Sequence, residues 1–227
     1  MGHDPYWMAE NASKGAAAVR IISSKMIVTA QRFLSDSDPV MKTLIEQSVP
    51  FGLKTDLDQS PFEALVRAVA SQQLHGAAAE AILGRFIKLV PGKTFPEPDD
   101  VETLTDEQIR SAGFSRGKIQ SIRDLTTKVL LGVVPSSEDM KTMDDNEIVS
   151  RITQVRGIGR WTVEMLLIFK LGRMDVLPAD DFGVRKGFSK AYGLSEMPKP
   201  KEILLHGEIW RPYRTIASWY LWRAAYE

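Results

Sequence analysis

Val155-Arg156-Gly157-Ile158-Gly159-Arg160-Trp161-Thr162 separates one amphipathic helical pattern from a nearly all-apolar one. Two glycines around an isoleucine permit a tight turn whose backbone comes close to a partner, while Ile158 can anchor that turn in a core. The helix that follows opens with N–H groups that have no intrahelical acceptor, which suits an anion such as a phosphate. Arg156 and Arg160 stand beside it. Taken alone, a Gly-x-Gly pair reads equally well as a helix C-cap.

Outward from this turn, apolar spacing is helical almost everywhere. Phe62, Leu65, Val66 and Val69 fall at i, i+3, i+4 and i+7, with Ser60 placed to cap and Pro61 at the first helical position. The same reasoning predicts helices near 14–34, 39–48, 76–89, 105–112, 116–131, 144–154, 160–171, 181–192, 200–205 and 212–226. No run alternates convincingly as a strand, and no repeat of solenoid period appears. The expectation is an all-α chain of about ten helices in two lobes. One lobe spans roughly 60–175, and the other combines 1–59 with 176–227. Residues 1–37 form an N-terminal segment joining a helical domain at 38–227. Two stretches are candidate crossings between lobes or plain surface loops, namely Phe95–Asp100 and Val133–Ser137.

Composition narrows the chemistry. The 227 residues carry 44% hydrophobic and 26% charged side chains, with Gly 16 and Pro 12, which is ordinary globular usage. Cys 0 excludes disulfides, Cys-ligated zinc, iron–sulfur clusters and thiol nucleophiles. His3, His75 and His206 are far apart in sequence and lack a ligand partner at helical spacing, which argues against a transition-metal site. Lys+Arg 29 against Asp+Glu 29 neither demands nor forbids a polyanion, since local patches matter more than totals. The longest unbroken apolar run, Met165 to Phe169, is too short for a bilayer, and the N-terminus has no apolar signal core. A soluble protein of the cytoplasm or nucleoid, or of the nucleus in a eukaryote, with no membrane partner, is expected.

The hairpin phrase, followed by Leu177-Pro178-Ala179-Asp180-Asp181-Phe182-Gly183-Val184, resembles the helix-hairpin-helix and Gly/Pro-Asp superfamily of base-excision DNA glycosylases. Within that superfamily it is most similar to the 3-methyladenine DNA glycosylase II family. Ser71-Gln72-Gln73-Leu74-His75 and Arg211-Pro212-Tyr213-Arg214 belong to the same resemblance, which runs from about Asp38 to Glu227. It implies a helix-hairpin-helix motif, an active-site cleft between the lobes, and double-stranded DNA containing alkylated bases as the partner of a monomeric enzyme. The implied reaction is excision of alkylated purines, 3-methyladenine and 7-methylguanine, by hydrolysis of the N-glycosidic bond in base-excision repair.

The resemblance also distributes roles. Gly157, Ile158, Gly159, Arg160 and Thr162 would grip backbone phosphates, with a Na+ or K+ at hairpin carbonyls near Val155 and Ile158 and no other cofactor. Arg116 and Lys118 offer a second clamp. Gln73, flanked by Leu74 and His75, falls at the position that fills the gap left by an everted base, where the compared family has an apolar wedge. By themselves, Gln72, Gln73 and His75 read as a helix–helix joint. Breaking an N-glycosidic bond builds positive charge on the sugar, so an ionised carboxylate nearby lowers the barrier. Asp181 matches the family's catalytic acid, three residues before Val184, and leaves Asp180 as the expected helix cap. Trp161, Trp222, Phe182 and Met165 would line the base pocket, where indole faces attract a cationic ring. Trp161 stands where lyase-competent relatives carry a lysine, so base removal without strand cleavage is expected. Two rival readings are a glycosylase for neutral deaminated bases and a lesion-binding protein without catalysis on the same scaffold.

Overall fold

The computed structural model describes residues 19–21, 23–56 and 59–226. In chain order these form β1 (Val19–Ile21), α1 (Ser24–Ser37), α2 (Pro39–Gln47), β2 (Lys54–Asp56), α3 (Pro61–Ser71), α4 (Gly76–Ile87) and α5 (Pro98–Thr103). There follow α6 (Asp106–Ser111), α7 (Arg116–Leu130), α8 (Ser137–Thr142), α9 (Asp145–Ile152), α10 (Arg160–Met165) and a π-helical turn at Leu166–Lys170. The chain closes with α11 (Phe182–Ala191), α12 (Pro200–His206), a 3-10 turn at Gly207–Trp210 and α13 (Arg214–Tyr226). The expected all-α class holds, with one exception. β1 and β2 pair antiparallel, Arg20 opposite Thr55. Three-residue strands are too short to show a period of two, so this pair left no pattern to read. The helix expected near 14–34 accordingly starts at Ser24, where the Ser23 hydroxyl accepts from the Met26 N–H; residues 14–18 lie outside the described residues, as does most of the 1–37 segment's first half.

The chain divides into two units, one formed by Met1–Asp58 with Leu167–Glu227 and the other by Gln59–Leu166. The second boundary falls at Leu166 rather than near 175. Neither Phe95–Asp100 nor Val133–Ser137 is a crossing. Both lie inside the middle unit and open short helices through reciprocal caps, Glu97 with Asp100 and Ser136 with Asp139. Six residues are too few for an apolar stripe to declare itself.

In the middle unit, α3 begins as its sequence predicts. The Ser60 hydroxyl takes the Glu63 N–H at 3.0 Å, Pro61 occupies the first turn, and Phe62, Leu65, Val66 and Val69 are all buried. The rings of Phe95 and Phe114 pack on Phe86 at 6.0 and 5.4 Å and fill the centre.

In the discontinuous unit, Asp38 and Pro39 end α1 and start α2, the carboxylate accepting from Val40 N–H at 2.9 Å. Asp38 is 2% exposed and also accepts from Tyr192, from Trp210 Nε1 at 2.9 Å and contacts His206 Nε2 at 3.1 Å. It therefore ties α2 to the end of α11 and to the 3-10 turn. Helices α11 and α13 approach so closely that a Cβ on Gly187 would lie 1.8 Å from the Leu221 carbonyl oxygen. Among the described residues no helix is long and apolar enough to cross a membrane.

Candidate active site and nucleic-acid interface

The middle unit carries the hairpin between α9 and α10. Gly157 has φ +75°, and a Cβ there would stand 2.5 Å from the Ser121 hydroxyl, so only glycine fits this turn. Ile158 is buried and donates its N–H to Val155 O at 3.1 Å, anchoring the turn as its sequence suggests. Asp124 of α7 braces the approach by accepting from the Arg156 N–H and from Lys128 Nζ, each at 2.6 Å. Burial pushes the Asp124 carboxyl up, but these donors and the two cations outweigh it and hold it below the usual range.

The outward donors are fewer than the phrase implied. Thr162 is buried and its N–H bonds to Gly159 O at 3.0 Å, and the Ile158 N–H is internal. Gly157, Gly159 and Arg160 are exposed, and among the described residues their N–H groups find no acceptor. The Arg160 side chain reaches Glu164 at 3.0 Å. Lys118, expected as a clamp, turns inward: its ammonium donates to Ala70 O at 2.7 Å, and burial pushes it below the ordinary lysine range. Arg116 remains exposed. Val155 O accepts a single N–H, which leaves it a lone pair, and neutral main-chain carbonyls are donors suited to a monovalent cation.

The joint between α3 and α4 belongs to the same unit. Gln73 is exposed at its tip with φ +59°, alone among described non-glycine residues in the left-handed region. His75 is exposed and Leu74 half-buried. A residue with a Cβ takes up this backbone conformation only rarely.

The discontinuous unit holds Asp181. Arg214 forms a two-pronged pair with Asp175, Nε to Oδ1 at 2.7 Å and Nη2 to Oδ2 at 3.1 Å, with Arg211 Nη1 on Oδ2 at 2.6 Å. The acidic loop is thereby pinned to the start of α13. Asp181, not Asp180, then caps α11: its Oδ1 accepts from the Val184 N–H at 2.9 Å, while Asp180 is exposed one residue further out. The helix starts at Phe182, so only its immediate predecessor reaches the third N–H.

Trp222 lies against Asp181. It is 1% exposed, stacks on Phe169 at 5.9 Å, and donates Nε1–H to Asp181 Oδ1 at 2.7 Å. Phe169 comes from the π-helical turn at Leu166–Lys170. A Cβ on Gly183 would lie 2.8 Å from Trp222 Cδ1 and 3.1 Å from Asp181 Oδ1, so the bare glycine makes room for this bond. Asp181 is 4% exposed, whereas Phe182 is 44% exposed. Trp161 is half-buried on the middle unit, and Met165 is buried in that unit. Sequence reasoning missed Gly183, although a glycine in the first turn of a helix, followed by Gly187 four residues on, signals close approach.

Among the described residues no group of three or more His, Asp or Glu side chains could hold a metal ion. The hairpin with its outward amides lies in one unit and the capped, indole-bonded carboxylate in the other. Residues 66–212 match the HhH-GPD superfamily of base excision DNA repair proteins. The chain belongs to this superfamily. It is 40% identical over 200 residues to DNA-3-methyladenine glycosylase 1 of Schizosaccharomyces pombe, covering 88% of each chain. Among solved structures, a Schizosaccharomyces pombe 3-methyladenine DNA glycosylase in complex with abasic DNA is 40% identical, with a TM-score of 0.76 over 86% of this chain and 95% of that one. A DNA-3-methyladenine glycosidase from Bacillus halodurans is 34% identical, with a TM-score of 0.80 over 87% of this chain and 89% of that one. The HhH-GPD match contains the hairpin, Gln73 and Asp181 alike.

Proposed function

We propose that this HhH-GPD chain is a DNA glycosylase that removes alkylated purines, 3-methyladenine and 7-methylguanine, from duplex DNA by hydrolysis of the N-glycosidic bond. The observation that carries the reading is the Asp181 carboxylate, fixed through one oxygen by the Val184 N–H and the Trp222 indole, in a chain that shares 40% identity with a 3-methyladenine glycosylase.

Binding starts with phosphates, which position the duplex and carry no sequence information. Gly157, Gly159 and Arg160 supply outward amides for this, and Arg116 adds a charge. A Na+ or K+ held by the Val155 and Ile158 carbonyls would add positive charge at the same place. Gln73 fills the space that the damaged nucleotide vacates, at an unstacking cost of a few kcal/mol. Asp181 then faces the positive charge that develops on deoxyribose as the base departs. The Val184 N–H and the Trp222 indole orient the carboxylate, and as an anion it stabilises the sugar cation or orients water. Burial strengthens that interaction by excluding solvent. A methylated purine cation leaves readily and needs little help from a general acid. With tryptophan at 161 in place of an amine nucleophile, the enzyme acts as a monomer that removes the base and leaves the strand intact, in the cytoplasm or nucleoid, or in a nucleus.

Base release from duplexes holding 7-methylguanine, hypoxanthine or uracil tests the substrate class, and Asp181→Asn tests the site. Release of methylated purine by the native chain and its collapse in Asp181→Asn, with duplex affinity kept, is the expected result. Faster release of hypoxanthine would assign the neutral-base reading. Tight lesion binding without release by the native chain would assign the non-catalytic one.

A further inference from the structure

The Gln72 side chain donates Nε2–H to the Gly157 carbonyl at 2.9 Å, across 85 residues of chain, and so joins the α3–α4 joint to the phosphate hairpin. Both ends of this bond are fixed. Gly157 cannot rotate away, because its turn needs φ +75° over Ser121 and Asp124 holds the preceding N–H. Gln72 closes α3, its own N–H bonded to Ala68 O at 3.2 Å, and Lys118 clasps the Ala70 carbonyl just before it. Immediately after these anchors comes Gln73 with its left-handed backbone. A conformation of that kind costs about 1–3 kcal/mol and persists only where neighbours over-determine it. The bond from Gln72 is the neighbour that links Gln73 to the hairpin.

We infer that Gln72 is a positioning residue, which transmits the hairpin's hold on the phosphates to Gln73, so that grip and gap-filling act as one rigid element. The inference rests on the reading of Gln73 as the residue that enters the stack, and adds how its entry point is set. Without the bond the hairpin still grips, but Gln73 is no longer placed at a constant distance from the gripped phosphates, and the everted state is less well held.

The test compares Gln72→Met, which keeps length and volume and removes the donor, with Gln73→Ala and the double variant. Gln72→Glu, which sets a carboxylate against the carbonyl oxygen, serves as a second way to break the same bond. Three quantities are read: single-turnover release of 7-methylguanine, fluorescence of a 2-aminopurine beside a tetrahydrofuran abasic site, and the salt dependence of binding to undamaged duplex. The expected result for Gln72→Met is release slowed by about three- to ten-fold, the worth of one neutral hydrogen bond, and a weaker 2-aminopurine signal. The salt slope stays as in the native chain, the thermal midpoint falls by no more than a few degrees, and the double variant is no slower than Gln73→Ala. Native behaviour of Gln72→Met and Gln72→Glu, with Gln73→Ala slowed, overturns the inference and leaves the gap-filling reading intact. Native behaviour of all three variants removes both. Equal loss of affinity for undamaged duplex in Gln72→Met overturns it as well, because Gln72 would then act on the hairpin alone.

Discussion

Replacing Gly183 by alanine puts a methyl group 2.8 Å from Trp222 Cδ1 and 3.1 Å from Asp181 Oδ1. Carbon atoms settle at about 3.5 Å or more, so the indole must retreat by about 0.7 Å. Along the bond from Nε1, that carries a 2.7 Å contact to about 3.4 Å, beyond the usual hydrogen-bond limit. Losing one hydrogen bond to a charged group costs about 1.5–3 kcal/mol, and if the reaction uses the orientation it enforces, the rate falls roughly ten- to hundred-fold. Overpacking adds about 1–3 kcal/mol of destabilisation, partly offset by alanine's helix preference of about 1 kcal/mol, so the thermal midpoint drops by a few degrees. Single-turnover release of 7-methylguanine, together with duplex affinity and thermal melting, measures these effects. Gly84→Ala is the control: that glycine is helical and exposed with nothing within 4 Å of a Cβ, and it should gain about 0.5–1 kcal/mol with activity unchanged. Native release rates in Gly183→Ala would refute the claim that the indole holds the carboxylate in its working position.

Gly157→Ala combines a positive φ with a 2.5 Å collision against Ser121, and should weaken binding to every duplex by about 1–3 kcal/mol, whatever its sequence, in fluorescence anisotropy. A loss confined to particular sequences would count against phosphate recognition. Burial raises the Asp38 carboxyl, yet hydrogen bonds from Tyr192, His206, Trp210 and the Met41 N–H prevail and hold it below its ordinary range. Its contribution to stability is therefore complete above about pH 4 and vanishes as pH falls through the lower folded value, so Asp38→Asn should be less stable at neutral pH and show a flatter acid limb in urea midpoints. Arg116→Ala should reduce duplex affinity and its salt slope, whereas Lys118→Met, whose ammonium faces the Ala70 carbonyl, should alter the salt slope less; a larger change for Lys118 would return it to the phosphate contacts.

Most helix starts were legible because their signals lie within four residues of one another. Ser60 with Pro61 and Asp38 with Pro39 act through their own chain neighbours, so their outcome is set before any tertiary contact forms. The hairpin was legible for a similar reason: Ile158 between two glycines has a core side and an open side in almost any setting. Short elements escaped. Helices α5 and α8, at 6 residues each, and the β1–β2 strands, at 3 residues each, are shorter than the window over which a period declares itself, although Ser136 and Asp139 do spell a reciprocal cap. At the candidate positions Asp181, Trp222 and Gln73, the residue types were readable, but their partners were not.

By itself, the amino-acid sequence determined a predominantly helical chain, the glycine-bounded turn and the acidic loop before α11, all governed by local propensity and covalent neighbourhood. Tertiary structure alone decided which aspartate caps α11, that Lys118 serves a carbonyl, that Met165 is core, and that Trp222 holds Asp181. Helix α13 shows why. From Thr215 to Trp222 every residue is buried, so polarity does not vary around the helix and gives no sign of which side chain meets which neighbour. That pairing is set by where two helices can touch, at Gly183 and Gly187, and steric fit of this kind exists only once distant segments have packed.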